Sequence, residues 1–257
     1  MSNTYKTLLR YPGGKSRAVK ILKDYVHDDV HSVCSPFFGG GSFELYLTRR
    51  NIQVEGYDIF LPLVNFWQHV LKQPEDLADI LDAHIGKVTK EDFKQMQNIL
   101  SDNMNTTVEN AARFFMVNRC SFSGATLSGG FSSSAAKGRF TQSSVDKVRN
   151  FHNDLLTVEH ADALDVINNT DADLLFLDPP YKLDDSFLYG NRGDIHKGFD
   201  HEQLSHVVHK FDKPVLLTYN DNDMIRDLYS DYTIVETSWS YGMNSSKKSS
   251  EIIIHNM

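Results

Sequence analysis

Cysteine is nearly missing from this chain. Two occur in 257 residues, Cys34 and Cys120, far apart and without metal-ligand spacing. That excludes a disulfide scaffold and a cysteine-built zinc site, and it predicts free thiols in a reducing compartment. Long apolar runs are also missing: nothing approaches the roughly 20 residues that span a bilayer. Met1 to Leu9 has no apolar segment of the signal-peptide kind. The expectation is a cytoplasmic chain with no membrane partner. The 11 histidines are scattered, His206 and His209 share a helix face, and no metal is expected. Neither a P-loop nor a Gly-x-Gly-x-x-Gly dinucleotide fingerprint is present. An excess of positive charge is lacking as well, since 26 Lys and Arg face 34 Asp and Glu for a net charge of -8. That argues against a general nucleic-acid binder. The deficit is uneven, however. Lys87 to Arg149 holds nine basic and five acidic residues, or +4, which leaves -12 on the remainder. A basic stretch on an acidic body can still dock phosphates.

What is present is an ordinary globular composition, 40% hydrophobic and 23% charged, sized for one large domain or one domain with an insert. Its organising stretch is Asp178-Pro179-Pro180-Tyr181, which follows the apolar run Leu174 to Leu177. Such a run reads as a buried parallel strand, and the two prolines end it because neither donates a ladder hydrogen bond. An acid, two rigid residues and an aromatic ring therefore lie at the carboxyl end of a central strand, where open α/β sheets bind ligands. The tetrad suits one kind of chemistry. The exocyclic amine of a nucleobase is a poor nucleophile because its lone pair is delocalised into the ring. Asp178 and the Pro179 carbonyl supply two acceptors that favour a tetrahedral nitrogen and aim its lone pair at an electrophile. Pro180 stiffens the turn, and Tyr181 offers a face on which an extruded base can stack. A plain strand end with a solvated Asp and a packed Tyr remains open on the tetrad alone.

Earlier in the chain, Lys6 to Tyr11 reads as short and β-like. A Pro12-Gly13-Gly14 turn carrying Lys15 then leads into a helix. His31 to Cys34 reads as a strand, followed by Ser35-Pro36-Phe37-Phe38-Gly39-Gly40-Gly41-Ser42 and a second helix. Gln53 to Asp58 reads as the next strand, ending in an acid 17 residues past Gly41, close to the position of a ribose-binding carboxylate. Asp58 as a helix cap is the structural alternative.

Tyr11-Pro12-Gly13-Gly14-Lys15, Pro36 to Ser42, Asp58 and Asp178 to Tyr181 occur in this order. Together they resemble the Dam-type DNA adenine methyltransferases, the Asp-Pro-Pro-Tyr class that modifies the N6 amine of adenine. The resemblance implies a Rossmann-like α/β fold with a mostly helical inserted target-recognition subdomain. It implies S-adenosylmethionine as cofactor and S-adenosylhomocysteine as product. Tyr11, Lys15, Phe37, Phe38, Gly39, Gly40, Gly41, Ser42, Asp58 and Asp178 would form its site. Asp162, after the strand Leu155 to Glu159, would touch the cofactor's adenine; an N-cap for Ala163 to Ile167 is an equal reading. Ser35 departs from the family, where an acid often precedes Pro-Phe.

Residues 1–60 and 151–257 are then expected to form the catalytic domain, and 61–150 a helical recognition insert. Helices are expected over Ile59 to Leu81, from Pro74, around Phe93 to Leu100, over Val108 to Val117 and over Phe140 to Phe151. Gly129 to Phe140 suits a flexible hairpin, and Lys137, Arg139 and Arg119 are candidates for binding double-stranded DNA. A basic-charge-free reading of the same stretch is a Ser/Gly surface loop. Lys182 to Phe199 reads as a lid carrying Phe187 and Tyr189. His201 to Phe211 is expected as helix, Pro214 to Asn220 as a buried strand, and Thr233 to Thr237 with Glu251 to Ile254 as a closing hairpin. The expected activity is site-specific methylation of adenine in duplex DNA by base flipping and direct transfer, with a restriction endonuclease as a possible partner. Alternatives are cytosine-N4 or RNA adenine methylation, a small-molecule methyltransferase, and a non-catalytic DNA binder that keeps the fold.

Overall fold

The computed structural model describes residues 7–102, 105–181, 199–237 and 251–257. The expected lid residues 182–198, with Phe187 and Tyr189, and the Ser/Lys-rich stretch 241–250 lie outside the described residues.

Seven strands form one sheet: β1 (Ser32–Ser35), β2 (Gln53–Asp58), β3 (Leu156–His160), β4 (Leu174–Leu177), β5 (Val215–Asn220), β6 (Thr233–Thr237) and β7 (Glu251–His255). Their order is β3-β2-β1-β4-β5-β7-β6. Pairing is parallel from β3 to β5, whereas β7 runs antiparallel to both β5 and β6. Strand order reverses between β1 and β4, which opens a crevice at their carboxyl ends. Eleven α-helices lie among the described residues. They are α1 (Val19–Leu22), α2 (Glu44–Arg49), α3 (Leu61–Lys72), α4 (Pro74–Asp82), α5 (Lys90–Asp102), α6 (Val108–Cys120), α7 (Ser133–Arg139), α8 (Gln142–Arg149), α9 (Ala163–Asn169), α10 (His201–Val208) and α11 (Asp223–Leu228).

Side-chain alternation along the strands divides the core in two. Val33, Val54, Leu174, Phe176, Leu216 and Ile253 face the layer of α1 to α8. Cys34, Leu175, Leu177, Leu217, Tyr219 and Ile254 face α9 to α11. The helices between β2 and β3 share the first of these cores. Phe66 and Trp67 of α3 and Phe114 and Phe115 of α6 are fully buried in it, with Phe66 and Phe115 stacked at 5.5 Å. Burial pushes both thiols up to about 12, so Cys34 and Cys120 behave as small apolar side chains.

Two sequence expectations are corrected. Thr7 to Tyr11 is not a strand. Its backbone groups are taken by side chains of α6: Asn118 accepts from the Arg10 amide at 3.1 Å and donates to the Arg10 carbonyl at 2.7 Å, and Arg119 donates to the Leu8 carbonyl at 2.7 Å. The segment is a strap. Nor is Gly129 to Phe140 a hairpin, because Ser133 to Arg139 is helical. Ser132 caps α7 by accepting from the Ala135 amide at 3.2 Å, two alanines favour the helix, and Lys137 and Arg139 complement its last turn. The flanking glycines had suggested a turn, and the cap decides otherwise.

A Cβ on Gly56 of β2 would lie 2.3 Å from the Phe38 ring. We therefore expect Gly56→Ala to cost about 1–3 kcal/mol through overpacking. Thermal unfolding reads this directly, and an unchanged midpoint would remove Phe38 and Gly56 as a packing constraint.

Candidate active site

The strand end after Leu177 places Asp178 at the crevice, on the face of the sheet shared by Phe176 and Thr218. Its Oδ1 accepts from Lys15 Nζ at 2.5 Å and from Thr218 Oγ1 at 2.8 Å. Oδ2 accepts from none of the described residues. Lys15 is 4% exposed and also donates to the Gly13 carbonyl at 3.2 Å. Its ammonium lies 5.0 Å from the centre of the Tyr181 ring. Tyr181 donates its hydroxyl to Glu251 at 2.6 Å.

Beside this cluster, Gly39 and Gly41 take left-handed backbone angles, φ +51° and +64°, and fold the loop after β1 into a tight turn. The Gly39 amide donates to Asp58 Oδ2 at 2.9 Å, and the Phe60 amide donates to Asp58 Oδ1 at 2.9 Å. Asp58 thus ties the end of β2 to the glycine loop and also holds the approach to α3. Burial pushes its carboxyl up to about 6, against the opposing pull of those two amides. The Trp67 indole donates to the Gly39 carbonyl at 3.2 Å, and the Thr7 hydroxyl donates to the Gly40 carbonyl. The Tyr11 ring lies against Gly39 and Gly40, and Ser42 meets Ser16 hydroxyl to hydroxyl at 3.0 Å. Phe38 is turned into the core under Gly41 and Gly56, so it offers only its backbone here. Phe37 faces the opposite side of the sheet, edge to face with Phe199 at 5.7 Å.

The crevice therefore gathers Tyr11, Lys15, the loop Gly39 to Ser42, Asp58 and Asp178 to Tyr181, while Phe37 packs on the other face of the sheet and Phe38 in the core. Asp162 lies apart, after β3, where it caps α9 by accepting from the Leu164 amide at 2.9 Å. Of the DNA candidates, Lys137 is exposed and Arg139 half-buried on α7. Arg119, expected at the DNA, is instead turned inward. Its guanidinium lies 5.1 Å from the Phe115 ring and holds Leu8, while its Nε is buried without a hydrogen-bond partner among the described residues. Burial first, and then the charges of Arg10 and Arg139, push it down to about 10, so three guanidiniums lie within electrostatic reach of one another. Among the described residues, no cluster of His, Cys, Asp and Glu is arranged to hold a metal, and no helix is long and apolar enough to cross a membrane.

Sequence reasoning missed several residues. Glu44, at the start of α2, is 3% exposed and accepts from the Ser35 hydroxyl at 2.8 Å. Burial, with a smaller contribution from the nearby Asp178 charge, pushes its carboxyl from 4.5 up to about 7. Phe122 is 67% exposed on a turn whose Ser123 and Gly124 have φ of +63° and +76°. Ile59, next to Asp58, exposes its apolar side chain at the crevice rim. A Glu within an otherwise apolar helix turn was a usable signal for Glu44. Nothing local marks Phe122 as exposed.

The family model described as D12 class N6 adenine-specific DNA methyltransferase matches residues 11–243. Among curated proteins, the Type II methyltransferase M.CviBI of Paramecium bursaria Chlorella virus NC1A is 24% identical over 260 residues, covering 96% of each chain.

The raised Glu44 carboxyl has a defined pH signature. The folded chain holds this proton more tightly than the unfolded one, so its contribution to stability is full below 4.5 and is lost as pH rises through about 7. Asp58 acts with the same sign between 3.8 and about 6, which leaves the upper part of the window to Glu44. We expect Glu44→Gln to flatten a fall of on the order of 1–3 kcal/mol. Denaturant unfolding at pH 6 to 8, in half-unit steps, measures it; an unaltered slope would remove Glu44 as its source.

Proposed function

The chain belongs to the D12 class N6 adenine-specific DNA methyltransferase family, and from that premise we propose how its own residues transfer a methyl group to adenine N6. The observation that carries the reading is the Asp178 carboxylate, with Oδ1 held by Lys15 and Thr218 and Oδ2 left to a ligand. Oδ2 accepts a hydrogen bond from the N6 amine, and the Pro179 carbonyl accepts the second. Methylation leaves positive charge on that nitrogen, which the adjacent carboxylate stabilises until one N6 proton is released to solvent. Lys15 and Thr218 hold the carboxylate in place before substrate arrives, so little reorganisation is needed. Tyr181 gives the extruded base a stacking face.

S-adenosylmethionine, when bound, supplies an electrophilic sulfonium methyl group, with S-adenosylhomocysteine as the product. The donor set suits it. Asp58 and Glu44 offer acidic oxygens for hydroxyl and ammonium groups, and Lys15 offers a cation for a carboxylate. The glycine loop brings backbone close to a nucleoside, with Tyr11 and the exposed Ile59 as apolar walls. Asp162, which caps α9 after β3, stands at the outer edge of this set.

We assign 1–60 and 151–257 to catalysis and 61–150 to target recognition, with α3 as the seat of the insert on the sheet. Double-stranded DNA approaches past α7, where Lys137 and Arg139 meet phosphates and Arg10 and Arg119 add charge behind them. Phe122 is offered to the duplex on a stiff turn, an apolar wedge of the kind that enters between base steps. The viral relative is named a Type II methyltransferase; by likeness we extend to this chain a restriction-modification role with an endonuclease partner.

Labelled S-adenosylmethionine and unmethylated duplex DNA, digested to nucleosides after reaction, should place the label on adenine. Asp178→Ala should lower the rate by about 10³-fold or more, and a near-normal rate would overturn the catalytic reading. Lys137→Ala with Arg139→Ala should weaken DNA binding and reduce its logarithmic salt slope by about one to two. An unchanged slope in a salt titration would take α7 out of the DNA footprint.

A further inference from the structure

Glu251 opens the last strand, β7, and is 1% exposed. It lies opposite Asn220 in the antiparallel register, at the carboxyl end of β5. A carboxylate this deeply buried is costly unless it accepts strong hydrogen bonds. One of its donors is the hydroxyl of Tyr181, at 2.6 Å to Oε2. A short O–H···O bond of this length is directional.

The rest of the Tyr181 ring is fixed from two other sides. Tyr219 backs it at 6.0 Å with an interplanar angle of 35°, and the Tyr219 hydroxyl is itself in hydrogen-bond contact with His201 Nδ1 at 2.7 Å. Lys15 Nζ stands 5.0 Å from the ring centre while bonded to Asp178. The ring is therefore pinned at its hydroxyl, supported from behind and bordered by the group that fixes the catalytic carboxylate. A Tyr held only by packing could swing about χ1 and χ2; the bond to β7 removes that freedom.

We propose that Glu251 is a positioning residue, which sets the plane of Tyr181 so that a stacked adenine presents N6 to Asp178. This rests on the reading that Tyr181 stacks the target base. Glu251 acts on the base through the phenol of Tyr181. The consequence is a coupling between the antiparallel end of the sheet and the orientation of the substrate at the crevice.

The test uses the full chain and a duplex containing the site identified by sequencing the methylated DNA. Glu251→Ala should lower kcat on the order of 10-fold, as expected for a misplaced reactant, while the affinity for S-adenosylmethionine stays within about twofold. Glu251→Gln keeps an acceptor for the phenol and should restore most of kcat. Tyr181→Phe removes the same bond from the other side and should match Glu251→Ala, and the double variant should lose no more than either one. With 2-aminopurine in place of the target adenine, both single variants should change the fluorescence of the bound duplex, because the base no longer rests on a fixed ring. If Glu251→Ala does not fold, Tyr181→Phe carries the test alone. Wild-type kcat in Tyr181→Phe, or additive losses in the double variant, would overturn the proposal. Tyr181→Ser separates the two readings. Loss of activity there with normal kcat in Tyr181→Phe sinks only the role of Glu251. Full activity in Tyr181→Ser sinks the stacking role on which it rests.

Discussion

A buried ammonium must find a carboxylate, and Lys15 finds Asp178 across 163 residues of sequence. The pair holds only if both side chains arrive from rigid supports, since desolvation is offset only by good geometry. Asp178 arrives on the end of a fully buried strand. Lys15 arrives on a strap with no strand neighbour, and that strap is held by the insert. Asn118 clamps the Arg10 backbone on both its amide and its carbonyl, Arg119 holds Leu8, and a Cβ on Gly124 would sit 2.1 Å from the Arg10 carbonyl oxygen. From the end of α6 to the Asp178 carboxylate the path is short: Asn118 holds Arg10, the Gly14 amide donates to the Tyr11 carbonyl, and Lys15 beside it reaches Asp178. Helix α6, which lies between β2 and β3, thus also steadies the cation beside Asp178.

Much of this was legible because its chemistry is local. The Leu174 to Leu177 run followed by two prolines can hardly be anything but a strand that stops, and the glycines after Cys34 demand a tight turn. Asp58 was legible as a carboxylate at a strand end, and it accepts from the Gly39 and Phe60 amides. The strap was not legible. Leu8 and Leu9 look like a strand, and only α6, more than a hundred residues on, supplies the side chains that take its backbone groups. Helix α7 was hidden by Gly129, Gly130 and Gly138, because a capping serine looks the same in a loop as at a helix start. Arg119 looked like a DNA contact because charge is visible in a sequence and direction is not.

The same limit explains Ser35. Relatives of the resembled class often carry an acid there, and its absence suggests a site short of one carboxylate. In space the carboxylate is present. Glu44 reaches back from the first turn of α2 to the Ser35 hydroxyl, at 2.8 Å. The first turn of α2 holds this carboxyl near Asp178 and gives it a hydroxyl that satisfies one of its oxygens. It also buries the acid more deeply, which is why its proton leaves only near neutral pH. A motif read position by position misses Glu44, because a tight glycine turn returns residue 44 to the end of the strand that residue 35 closes.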